Sequence, residues 1–253
     1  LISLEPDVRL QCLSYAPFGK NESPMDFDKG LKLSSAQIDQ DLALLAQYTG
    51  CIRTYSTLGL EMVPALARKH GLKMWLGAWV SSDPVLTRKE IAAMVALAKE
   101  NADIIETVVV GNEALLRRDV SASQLIGYIN DVKQALPQMK ITYADVWEFW
   151  NQHPSVAPSV DRVTIHILPY WEDKPIEVTR ALLHVKHVYD EMKHKIPDKI
   201  QFPLFNFFQP SIYCKYPIFL FYLLYLICQC VKTVRVTCII NKYPFIRISV
   251  INS

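Results

Sequence analysis

Beyond Lys199 the chain contains no aspartate, no glutamate and no glycine, although the 253 residues together hold 25 acidic side chains and 8 glycines. Without glycine this last stretch lacks the residue that tight turns use for positive φ. Without an aspartate or glutamate it supplies no carboxylate to act as acid, base or nucleophile. Phe, Tyr, Ile, Leu and Cys are dense there instead. Within Tyr216 to Val231 the run from Ile218 to Ile227 is apolar throughout, yet it falls short of the roughly 20 residues that a membrane-spanning helix needs. Three readings of residues 200–253 stay open: a short membrane-seeking segment, buried strands, or an out-of-frame or non-coding translation. The missing turn residues and acids favour the third.

An excess of one charge sign is also lacking. Lys and Arg number 27 against 25 Asp and Glu, a formal net charge of +2, which argues against nucleic acid as the main partner. No basic segment followed by an apolar run begins at Leu1, so no signal peptide is visible and the compartment is left undecided. A zinc signature is absent as well, because Cys228-Gln229-Cys230 has no properly spaced second pair. Cys12 and Cys51 sit in apolar strand-like runs, whereas Cys214, Cys228, Cys230 and Cys238 crowd the end. Structural or incidental thiols are expected for all six, in preference to metal ligands or disulfides, and neither a metal nor a cofactor is expected.

What is present, up to Lys199, is an alternation of short β-branched or aromatic runs with longer stretches of helical apolar spacing, the pattern of βα units. Strands are expected at Cys12–Phe18, Cys51–Ser56, Lys73–Val80, Thr107–Glu113, Lys140–Trp147 and Arg162–Trp171. Helices are expected at Ser35–Tyr48, Leu60–His70, Thr87–Glu100, Ser121–Leu136 and Pro175–Lys195. Gly50 and Gly71 stop two of them, Thr87 with Glu90 opens a third, and Pro137 closes another. Six such units imply a parallel barrel or an open α/β sheet, with residues 1–199 as one unit and 200–253 as an unrelated tail.

The run Thr107-Val108-Val109-Val110-Gly111-Asn112-Glu113 ends a β-branched strand in a carboxylate, and the carboxyl ends of strands are where βα barrels keep their chemistry. Reading each strand end gives Tyr15, Arg53, Tyr55, Trp79, Asn112, Glu113, Asp145, Trp147, His166, Tyr170 and Trp171. Aromatic faces beside carboxylates and amides suit a saccharide, whose C–H faces stack while its hydroxyls hydrogen-bond. Taken alone, His166 on an apolar strand reads as scaffold or substrate contact. His184, His187 and His194 read as a solvated helix face.

Five segments in order, Leu13-Ser14-Tyr15-Ala16-Pro17-Phe18, Ile52-Arg53-Thr54-Tyr55-Ser56, Val109-Val110-Gly111-Asn112-Glu113, Thr142 to Trp150 and Thr164 to Asp173, closely resemble bacterial members of glycoside hydrolase family 17. The likeness runs from about Leu10 to Lys199. It implies a (β/α)₈ TIM barrel, incomplete here with strands seven and eight missing, and a retaining β-1,3-glucanase or β-glucan transglycosylase as the intact parent. On that resemblance Glu113 is the general acid/base, Asn112 binds the 2-hydroxyl, and Tyr170 contacts the nucleophile. Tyr15, Arg53, Tyr55, Asp145, Trp147, His166 and Trp171 fall at cleft positions. The implied partner is a β-glucan oligo- or polysaccharide, and some relatives are attached to membrane glucan synthases.

A retaining mechanism needs a second carboxylate about 5 Å from the first. The family supplies it from a Gly-Glu-Thr-Gly-Trp-Pro-type motif ending the seventh strand. Here Pro197-Asp198-Lys199 is followed by Ile200-Gln201-Phe202-Pro203-Leu204-Phe205, and that motif is missing. Glu148, Glu172 and Asp173 stand elsewhere and are expected to bind substrate or face solvent. The chain is therefore expected to be a truncated or frame-disrupted, inactive member with exposed strand edges; the alternatives are a non-catalytic β-glucan-binding remnant or a membrane-associated remodelling domain.

Overall fold

The structure, a computed structural model, describes residues 12–18, 22, 30–197 and 199, and the backbone of 202–204, 234–240 and 246–252. Strands β1 (Leu13–Ser14), β2 (Cys51–Arg53), β3 (Lys73–Ala78), β4 (Ile105–Asn112), β5 (Lys140–Val146) and β6 (Arg162–His166) lie side by side in chain order. Every neighbouring pair is parallel. Parallel neighbours need crossovers, which helices α1 (Ser35–Leu45), α2 (Val63–Lys69), α3 (Pro84–Glu100) and α4 (Ala122–Ala135) provide; the short α5 (Trp147–Gln152) and a 3₁₀ turn at Pro154–Ser159 join β5 to β6, and α6 (Val178–Lys195) follows. This is the alternating βα wall of a barrel.

The sheet is longer than expected. A seventh parallel strand, β7 (Phe202–Leu204), is added to β6, pairing Thr164 with Phe202 and His166 with Leu204. Three residues, one of them proline, leave too little pattern for sequence reading to catch. The edge of β6 is thus covered. An antiparallel hairpin of β8 (Val234–Ile240) and β9 (Ile246–Asn252) has its backbone alongside β7 and β1. Among the described residues no eighth parallel strand is present. The apolar run at 218–227 lies outside the described residues, and no described helix is long and apolar enough to cross a membrane.

Strand side chains alternate between two environments, as period two demands. Leu13, Ile52, Met74, Leu76, Val108, Val110, Ile141, Tyr143, Val163 and Ile165 join the helices in one large apolar cluster. Each such side chain, fully buried, contributes about 1.5–3 kcal/mol, so this outer layer holds the wall together. The opposite parity faces the barrel interior. There Cys12, Cys51, Trp75, Val109 and Ala144 form a small apolar cluster, with Thr142 Oγ1 at 2.8 Å from Thr164 Oγ1 and Arg162 donating to Thr107 Oγ1 over 3.2 Å.

Two local readings change. Cys12 and Cys51 are not thiols but a disulfide, with a Cα separation of 4.3 Å. The register that pairs Leu13 with Ile52 brings their preceding residues together. Helix α3 is opened not by Thr87 but by Asp83, whose carboxylate accepts from the backbone N–H groups of Val85 at 2.7 Å and Leu86 at 3.1 Å, with Pro84 as first helical residue. Thr87 and Glu90 are inside the helix and buried.

Candidate active site

Strand β4 does not end smoothly. Its register with β5 shifts between Val109 and Asn112, Gly111 takes φ +87°, and Glu113 itself sits at φ 54°. A Cβ on residue 111 would also lie 3.1 Å from Val80 Cγ2, so any other residue would have to push Val80 aside as well as adopt a conformation that favours glycine. A glutamate in the left-handed region costs of order 1 kcal/mol or more. Surrounding bonds hold it there: Glu113 N–H donates to Ala144 O at 2.7 Å, Arg117 N–H donates to Glu113 O at 2.9 Å, and the Arg117 guanidinium donates to the carbonyl of Asn112 and, at 2.9 Å, to that of Val80.

The turn aims Glu113 at His166. Oε1 lies 2.5 Å from His166 Nδ1, and His166 is completely buried at the end of β6. On the other side of the ring, Nε2 lies 3.5 Å from Arg53 Nη1, while Arg53 Nη2 donates to Asn112 Oδ1 at 2.7 Å. A guanidinium can only donate. Nε2 must therefore accept, which leaves the proton on Nδ1, where it is donated to the Glu113 carboxylate. Arg53 thus orients both the imidazole and the amide that flank the acid. The same guanidinium stands 4.9 Å from the Tyr55 ring centroid, and the buried Tyr55 hydroxyl has no hydrogen-bond partner among the described residues.

The residues named from sequence divide by parity. Arg53, Tyr55, Asn112, Glu113 and His166 converge, and Trp79 shares the inward parity of Trp75 and Gly77. Tyr15 does not converge: Leu13 and Tyr15 both face the helices, and the Tyr15 hydroxyl donates to Asp41 Oδ2 at 3.0 Å. Asp145 is likewise turned from the interior and fully buried. It accepts from the Tyr143 hydroxyl, from Val146 N–H at 2.8 Å and from Leu116 N–H at 3.4 Å, while Tyr143 Oη accepts from Leu115 N–H at 2.9 Å. These two side chains hold the turn that carries Glu113. Trp147 donates to Glu172 Oε1 at 3.2 Å, and Glu172 also meets His184 Nε2 at 2.8 Å. Tyr170 and Trp171 form an edge-to-face pair, 58% and 47% exposed.

Burial raises the Asp145 carboxyl to about 7, with the nearby Glu113 charge adding to the shift and its hydrogen bonds opposing it. Burial also raises Glu148 to about 7, reinforced by Glu172, Asp173 and Asp145. A carboxyl raised on folding favours the folded state while protonated, and that contribution is lost as pH climbs from its unfolded value through the folded one. The thermal midpoint should therefore fall from about pH 4 to about pH 7, and fall less in Asp145→Asn. Melting curves across that range check it; equal slopes for the two proteins would reject the assignment.

Sequence reading missed two residues. Glu90, buried on α3, accepts from the backbone N–H groups of Thr57 at 2.9 Å, Leu58 at 3.3 Å and Trp79 at 3.2 Å, tying together the loops after β2 and β3. Arg117 clamps the Glu113 turn and stacks 4.2 Å from the Trp79 ring centroid. Both act on backbone groups, which leave no mark in a sequence pattern. Among the described residues no group of His, Cys, Asp and Glu is arranged to hold a metal.

Residues 12–203 match the family described as the BtgE/BtgC glycoside hydrolase domain. The chain belongs to that family. This BtgE/BtgC domain is similar to the putative glucan endo-1,3-beta-glucosidase btgC of Aspergillus niger, 32% identical over 154 residues that cover 54% of the chain and 22% of that protein. It is similar to the glucan 1,3-beta-glucosidase of Schizosaccharomyces pombe, 31% identical over 145 residues, covering 52% of the chain and 45% of that protein. The chain thus spans less than half the length of either. Among solved structures, a glycoside hydrolase family 17 β-1,3-glucanosyltransferase from Rhizomucor miehei superposes with a TM-score of 0.63 at 22% identity, covering 75% of the chain and 68% of that protein. An active-site mutant of that enzyme has been solved with laminaritriose. The match supports the barrel architecture of this BtgE/BtgC domain. These relatives are fungal, whereas the motifs alone had suggested a bacterial branch.

Proposed function

We propose that the inward cleft binds β-1,3-glucan and that Glu113 is the general acid/base of a retaining glycoside hydrolase site. The observation that carries this reading is the strained Glu113 turn, held 2.5 Å from a buried His166 whose ring is in turn set by Arg53. Strain persists at sites where the surrounding structure over-determines it, and such sites cluster at chemistry. Glu113 protonates the glycosidic oxygen as the bond breaks and later takes a proton from water or an acceptor sugar. The Asn112 oxygen is engaged by Arg53, so its amide N–H groups are the ones turned to a sugar hydroxyl, and the exposed Tyr170–Trp171 pair offers stacking area.

The second carboxylate has no source in residues 200–253, which contain neither Asp nor Glu. Asp145 is too enclosed to attack an anomeric carbon, and Glu172 is engaged by Trp147 and His184. On this reading the polypeptide binds β-glucan without completing turnover, and residues 200–253 are a tail unrelated to the domain, consistent with a disrupted reading frame. Calorimetric titration with laminaritriose should show saturable binding, while prolonged incubation with laminarin should release no reducing ends. Release that disappears in Glu113→Gln would mean that another carboxylate serves as nucleophile; absence of binding would reject the glucan reading.

A further inference from the structure

Trp79 stands at the mouth of the cleft, past the end of β3, and no role follows for it from the site just described. It keeps the inward parity of Trp75 and Gly77. Residue 77 has to be glycine because a Cβ there would come within 2.4 Å of Thr54 O, so β2 and β3 approach closely directly beneath Trp79. The backbone N–H of Trp79 is tied to Glu90 at 3.2 Å, and one face of its ring is covered by the Arg117 guanidinium, 4.2 Å from the centroid. The residue remains partly exposed.

Arg117 is also the side chain that binds the carbonyls of Asn112 and Val80. The ring is thereby fixed to the same arginine that fixes the Glu113 turn. Such bracing removes much of the side-chain entropy that a mobile tryptophan would lose on binding a ligand. The arrangement has a counterpart across the site. Strand β4, carrying Glu113, is flanked by β3 with Trp79 on one side and by β5 and β6 with the Tyr170–Trp171 pair on the other.

We propose that Trp79, stacked on Arg117, is a sugar-binding platform on the β3 side of Glu113, receiving one glucosyl unit of a β-1,3-linked chain on the ring face opposite Arg117. This rests on the reading of the cleft as a β-glucan site. The substrate class is a laminari-oligosaccharide long enough to pass over Glu113 from one aromatic platform to the other.

The test is titration of the full-length protein with laminaritriose and laminarihexaose, comparing wild type with Trp79→Ala, Trp79→Phe, Arg117→Met and Trp171→Ala, each with its near-UV circular dichroism. Trp79→Ala is expected to weaken laminarihexaose binding by about tenfold, the scale of one aromatic contact. Trp79→Phe keeps a stacking face and should recover most of that loss, and Arg117→Met should fall between them. The ligand-induced change in tryptophan fluorescence should shrink in Trp79→Ala. If wild type binds, Trp171→Ala weakens it and Trp79→Ala with an intact near-UV spectrum does not, the platform is rejected while the glucan reading stands. If Trp79→Phe is as weak as Trp79→Ala, the residue acts through packing and the platform is again rejected. If wild type binds neither oligosaccharide, the glucan reading fails and this inference fails with it.

Discussion

Arg53→Met is expected to lower the thermal midpoint by about 6–12 °C and to weaken laminaritriose binding by at least tenfold. Arg53 is completely buried, and its guanidinium reaches Asn112 Oδ1 at 2.7 Å and His166 Nε2 at 3.5 Å. Methionine fills similar volume but donates nothing. It leaves an amide oxygen and an imidazole nitrogen buried without their donor, each costing roughly 1–3 kcal/mol. Removing the charge also relieves the cost of burying a guanidinium, so the net loss should sit in the lower half of that sum, about 3 kcal/mol. For a domain of this size each kcal/mol moves the midpoint by about 2–4 °C. Affinity falls for a separate reason: with Oδ1 released, the Asn112 amide is free to rotate, and the imidazole can exchange the nitrogen that carries its proton. Arg53→Lys should not rescue binding, since a single ammonium cannot reach both partners in the geometry of a planar fork. Scanning calorimetry and titration on the same samples separate the two effects. A midpoint within about 2 °C of wild type would show that water replaces the guanidinium at little cost.

That arginine illustrates which parts of the site were legible beforehand. Period-two alternation marks the strands, and strand ends mark the mouth of the cleft, so Arg53, Asn112, Glu113 and His166 could be named from sequence. The face each residue occupies was harder to read. Tyr15 follows Ser14, which shares the inward side with Arg53, so Tyr15 turns to α1 and Asp41. Asp145 follows inward-facing Ala144 and turns toward the loop at Leu115 and Leu116. Asn112 escapes the same fate only because the bulge at Gly111 shifts the register of β4. Register between strands is a tertiary property, which also hid the Cys12–Cys51 disulfide: the residues are 39 apart in sequence and opposite in the sheet. Arg117 and Glu90 were invisible for a different reason, since they act on backbone carbonyls and N–H groups, which every residue possesses.

On the proposed reading of a cleft that binds β-glucan without completing turnover, a small anion should restore cleavage. If the acid/base half of a retaining site is intact and only the attacking carboxylate is missing, formate or azide can take its place and attack the anomeric carbon from the face opposite Glu113. With 4-nitrophenyl β-laminaribioside the new bond forms between the anion and C1 while the C1–O bond to nitrophenol breaks, and no glycosyl-enzyme forms. Azide would yield the α-glycosyl azide, a product that records the inverted centre and hydrolyses slowly enough to isolate. Nitrophenol is a good leaving group and needs little acid assistance, so rescue there tests the cleft and the approach of the anion to the anomeric carbon. An alkyl laminaribioside leaves less readily and needs a proton from Glu113, whose contribution as general acid is about 10²–10⁴-fold. Rescue should therefore survive Glu113→Gln with the nitrophenyl glycoside and drop by roughly that factor with the alkyl one. The measurement is nitrophenol release and product analysis with and without about molar anion, a concentration set against effective molarities many orders higher for a built-in nucleophile. Equal rescue of both glycosides in wild type and Glu113→Gln would remove Glu113 from the role of acid, and no rescue at all would mean that the cleft lacks the shape to hold an anomeric carbon in line with an incoming group.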